Sequence, residues 1–91
     1  MIWGLVIDGR GRPISGAVVK LKNLITLNVR SFITGDDGQY RFPRVYSEMD
    51  YALRARFGDH WSKSKTVTRF EMRDAVRVDL RIKNADVEAV H

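Results

Sequence analysis

Two adjacent carboxylates, Asp36 and Asp37, lie between Gly35 and Gly38 in the stretch TGDDGQYRF, residues 34–42. Paired acids suit two kinds of chemistry. A glycosidase needs its two carboxyls about 5–10 Å apart across a cleft that admits a sugar. Neighbours on a tight loop do not frame such a cleft. A calcium ion takes about six to eight oxygens, so further acids would have to converge on the pair. A turn accounts for the same residues with less. Its glycines adopt backbone conformations that other residues resist, and an aspartate accepts the N–H two residues on. Tyr40 and Phe42 then alternate with Gln39 and Arg41 and enter a core. A turn is the expectation, with no metal and no catalytic residue.

The remaining reactive side chains are few. The chain has 91 residues, no cysteine and two histidines, His60 and His91. Thiol nucleophiles, thiolate metal sites and disulfides are therefore excluded. Zinc requires three or four ligands, and no spacing here supplies them. Ser62 and Ser64 neighbour His60 but sit in a strand-like run, not on an exposed elbow. No cofactor is expected.

Charge offers a different site. Sixteen basic against eleven acidic residues give +5. Lys20 and Lys22, Arg54 and Arg56, and Lys63 and Lys65 recur with period two. Clustered cations attract phosphate, sulfate or uronate groups through salt-sensitive contacts. The same pattern also describes a solvated strand face whose charges discourage edge aggregation. No recognition motif for specific nucleic-acid reading is present.

These side chains need strands to hold them. Alternating runs separated by turn residues predict seven: 2–8, 17–23, 26–34, 39–42, 50–57, 62–70 and 75–83. In 75–83, Val76, Val78, Leu80 and Ile82 alternate with Arg77, Asp79, Arg81 and Lys83. Seven short strands predict an all-β sandwich. The segment 45–50 is a longer connection with room for one helical turn. A single domain over 1–84 is expected, with a tail at 85–91 that either starts a short helix at Asn84 or frays. No apolar run approaches the roughly 20 residues of a membrane span. The first ten residues lack the basic start and long apolar stretch of a signal peptide. The protein either stays in the cell or begins after a removed signal.

The run GLVIDGRGRPISGAVVKLKN, with TGDDGQYRFPRV and DYALRARF, resembles the carboxypeptidase regulatory-like domain over residues 2–83. The matching positions are Gly4, Val6, Asp8, Gly11, Pro13, Gly16, Ala17, Val19, Thr34, Gly38, Tyr40, Phe42, Tyr51 and Leu53. The resemblance implies a seven-stranded transthyretin-like Greek-key sandwich, mostly an accessory module. It makes Asp8 the nearest helper for any calcium at Asp36 and Asp37. It makes the second and fifth strands neighbours, so that Lys20, Lys22, Arg54 and Arg56 line one outer face. It also turns the Gly4–Val6 side of the first strand inward. Trp3, Leu5 and Ile7 then form an outward apolar row, open to a partner or covered by Val87 and Val90 of the tail. Among enzymes on related folds, hydroxyisourate hydrolases carry a C-terminal Tyr-Arg-Gly-Ser that is missing here, and intradiol dioxygenases need two tyrosines and two histidines on iron, for which His60 and His91 are an inadequate supply. A Lys–Asn isopeptide bond, with Lys20 or Lys22 and Asn84 as its ends, would lack its assisting acid, because Arg54 and Arg56 stand there. The expected role is a non-enzymatic interaction module, extracellular or in the cell envelope, with another copy or an envelope protein as partner. The alternative is an anionic glycan held on the basic face.

Overall fold

A computed structural model describes residues 1–83. The expectations about the tail, including a helix at Asn84 and cover by Val87 and Val90, lie outside the described residues. The strands are β1 (Ile2–Asp8), β2 (Val18–Asn23), β3 (Val29–Ile33), β4 (Gln39–Phe42), β5 (Tyr51–Phe57), β6 (His60–Trp61), β7 (Lys65–Val67), β8 (Val76–Arg77) and β9 (Leu80–Ile82). They form two sheets. In the first, β1 lies between β4 on one side and β8 and β9 on the other; in the second, the order is β3-β2-β5, with β6 and β7 both on β5. The inner faces follow the period-two pattern. Ile2, Val6, Val19, Leu21, Leu53, Ala55, Leu80 and Ile82 are buried between the sheets, where transfer from water at about 25 cal/mol per Å² stabilises the fold.

Nine strand segments stand where seven strands were expected. The runs 62–70 and 75–83 are interrupted, and at each interruption a side-chain oxygen replaces a backbone acceptor. Between β6 and β7, Ser62 Oγ accepts the Ala55 N–H at 2.9 Å while the Ser62 N–H donates to the Ala55 carbonyl at 2.8 Å. Between β8 and β9, Asp79 Oδ1 accepts the Leu5 N–H at 3.0 Å. The backbone bends inward there: a Cβ on Gly4 would lie 2.0 Å from the Val78 carbonyl oxygen. Tyr40 donates its hydroxyl to that same carbonyl. Ladder polarity is thus satisfied without a ladder, as buried backbone groups require.

Other connections differ from expectation in detail. The third strand begins at Val29, not residue 26, because Asn23 organises a turn. Its Oδ1 accepts the N–H of Ile25 at 2.9 Å and of Thr26 at 3.1 Å. The 45–50 connection holds one turn, with the Met49 N–H on the Tyr46 carbonyl, and no helix. Phe57 and His60 face each other across a two-residue hairpin whose Gly58 has φ +60°.

Candidate interaction surfaces

The acid pair forms a turn. The Gly38 N–H donates to the Gly35 carbonyl at 2.9 Å, and Asp37 Oδ1 accepts the Gln39 N–H at 3.0 Å. Gly38 has φ +71° and is pressed against Pro13 and Val6, so it must be glycine; Gly35 has no such need, contrary to expectation. Asp8 is committed elsewhere. Buried beneath the 9–12 loop, it accepts the N–H of Arg10 at 2.8 Å and of Arg12 at 2.9 Å, and Arg12 Nε at 3.2 Å. The Arg12 N–H, the Arg10 N–H and the Arg12 charge together outweigh desolvation and hold its carboxyl below the usual range. Among the described residues no three His, Cys, Asp or Glu side chains gather as a metal would need. Ser62 is buried, and its hydroxyl donates to the Lys63 carbonyl at 3.0 Å.

The basic face assembles from strand register. Lys20 of β2 stands directly opposite Arg54 of β5, while Lys22 faces Ala52 and Val18 faces Arg56. All four cations point outward and are exposed. Like charges directly opposite repel, and among the described residues none of the four has a carboxylate partner. The sequence reading missed the aromatic member of this surface. The tight hairpin brings Trp61 opposite Arg56. The Arg54 guanidinium lies 3.9 Å from the indole centroid and that of Arg56 lies 5.6 Å away. The Gly58-Asp59 dipeptide carried the signal, because a glycine leading a two-residue loop marks a tight hairpin.

Lys63 and Lys65 leave this face. Lys65 pairs with Leu53 in register and reaches across to the first sheet, where Nζ donates to the Asp79 carbonyl at 2.8 Å. It closes the edge of the sandwich beside the β8–β9 break.

Trp3, Leu5 and Ile7 lie on the outer side of β1, half-buried. Trp3 is flanked in register by Arg41 of β4 and Arg77 of β8, and the Arg77 guanidinium sits 5.1 Å from its ring centroid. Beside Leu5, burial raises the Asp79 pKa. Hydrogen bonds from Arg77 and the Leu5 N–H, with the charges of Arg77 and Lys65, outweigh it and hold the carboxyl low. The most exposed large apolar side chains lie elsewhere: Phe70 (89%), Ile33 (66%), Tyr46 (65%) and Leu27 (62%). Leu27, which alternation places inside the third strand, occupies the hairpin turn with φ +67°.

The family model of the carboxypeptidase regulatory-like domain matches residues 1–83. No curated protein matches the chain. Among solved structures, the crystal structure of catechol 1,2-dioxygenase from Pseudomonas arvilla C-1 superposes with a TM-score of 0.57 at 12% identity. The match covers 99% of this chain and 54% of the dioxygenase chain, so this chain spans about half of that structure. At that identity the likeness is one of fold alone.

Proposed function

The chain belongs to the carboxypeptidase regulatory-like domain family, and on that footing we propose a non-catalytic structural or interaction module of the cell envelope or of an extracellular assembly. Its architecture is the transthyretin-like Greek key, with β6–β7 and β8–β9 each an interrupted single strand of a seven-strand plan. It self-associates through the outer face of β1. The observation that carries this reading is the row Trp3, Leu5 and Ile7 along the middle strand of its sheet, outside the two-layer core. Trp3 stacked with Arg77 has the composition of an interface anchor, since tryptophan and arginine dominate the energetics of such contacts. Light scattering over a range of concentrations tests it. The unmodified chain is expected to assemble, and Leu5→Glu to give a folded, smaller species. A parent chain that stays monomeric at every concentration would exclude self-association.

The register pair Lys20 and Arg54, with Arg54 over Trp61, supports a second reading, an anionic-glycan module. An anion seated there relieves repulsion that no described carboxylate offsets.

A further inference from the structure

A second basic surface lies around the corner from the first. Trp61, Lys63, Lys65, Arg81 and Lys83 line a groove of about 250 Å³ at the edge where β6 and β7 approach β9. Its described lining contains four cations and no acid. Asp79, the nearest acid in sequence to Arg81, is held away from it. Its carboxylate is engaged by the Leu5 N–H and by Arg77 Nε at 3.1 Å, so only its backbone carbonyl meets Lys65. Trp61 belongs to both surfaces. The guanidinium groups of Arg54 and Arg56 lie near its ring, and the indole also lines the groove.

We infer that this groove seats one acidic sugar unit, a uronate or sulfated residue, of a linear anionic polysaccharide that continues past Trp61 onto Lys20, Lys22, Arg54 and Arg56. The size and lining set the class. The groove falls just below the roughly 300–1,000 Å³ of sites that enclose a whole small ligand, so it suits one unit of a chain. The indole and the lysine stems of the lining take the C–H face of a sugar ring, and its ammonium and guanidinium groups take the anionic substituents. Single-stranded nucleic acid is the poorer match, because successive bases stack on successive aromatics and Trp61 is the one aromatic in the described lining.

The long-chain part rests on the glycan reading of the basic face; the single-unit part does not, and the two are separable. Calorimetry at low salt would use a trisulfated heparin disaccharide, long heparin and oligothymidylate as probes. The variants are Lys63→Gln with Arg81→Gln and Lys83→Gln, leaving Lys65 to bridge the sheets; Lys20→Gln with Lys22→Gln; and Trp61→Phe. Circular dichroism would verify folding. The groove triple variant is expected to weaken the disaccharide at least about tenfold and to flatten its salt dependence. The face double variant should change it less than about twofold, while long heparin is weakened by both. Trp61→Phe should weaken both probes while preserving the fold. If the disaccharide binds the groove variant as it binds the parent, the groove site is wrong, and heparin loss confined to the face variant would leave the face reading standing. Tighter binding of oligothymidylate through the same residues would overturn the sugar assignment.

Discussion

At the scale of single residues, Asp8 is the clearest case of a chemical group used for structure. Its carboxylate organises the β1–β2 link by accepting three N–H groups. Its folded pKa lies below the ordinary 3.8. The stability this gives is full above that unfolded value and is lost as pH falls through the folded one. Thermal melting of Asp8→Asn should therefore start lower near neutral pH and fall less steeply than the parent's below about pH 5. Parallel curves would mean that Asp8 does not couple folding to protonation. Asp79, whose carboxyl is also held low, leaves some acid sensitivity in the variant. Legibility varied at this scale. The turn role of Asp37 was readable from its glycine neighbours, because an Asx hydrogen bond is local. The partners of Asp8 were not, since nothing in the sequence distinguishes a buried aspartate under a loop from an exposed one.

At the scale of elements, alternation predicted the inward sides of β2, β4 and β5, where apolar residues recur at every second position, while β1, apolar on both sides, took its inward side from the family resemblance. It failed at 62–64 and 78–79, where Ser62 and Asp79 accept the bonds that a regular strand would take with its backbone. A side chain acting as backbone leaves the hydrophobic period almost unchanged, so the interruption is invisible to it. The stacking of Trp61 was hidden for a related reason: it depends on hairpin register, which the Gly58-Asp59 turn sets. Two glycines separate close approach from ordinary turn space. Gly4→Ala places a methyl group against the Val78 carbonyl and should destabilise by about 2–4 kcal/mol, as overpacking against backbone does. Gly35→Ala meets nothing nearer than 3.8 Å and has no positive φ, so it should be neutral within about 0.5 kcal/mol. Chemical denaturation of the two variants checks the pair. Equal losses would show that the Gly4 contact relaxes freely.

At the scale of the whole molecule, the two sheets present unlike exteriors. One carries an apolar row edged by arginines, the other a bare lysine–arginine face that turns the corner at Trp61. The fold family was legible from glycine, proline and aromatic spacing, while the track around the corner required the register of β5 with β6 and the position of β9. One further consequence follows from β1 pairing in parallel with β8 and β9, where Ile2 aligns with Val76 and Val6 with Leu80. β1 cannot complete its sheet until β8 and β9, 74 positions further along the chain, are available. Joining such distant segments restricts the unfolded chain before any contact compensates, and β-rich topologies of this kind fold in roughly milliseconds to seconds. Stopped-flow refolding followed by tryptophan fluorescence should fall in that range, because Trp3 reports closure of the first sheet and Trp61 the hairpin. Microsecond refolding of the Trp3 signal would contradict it. A nascent chain must therefore carry the apolar β1 face with one flank unpaired while the residues between β1 and β8 are made, which makes prompt pairing with β4 the early protection that the sequence supplies.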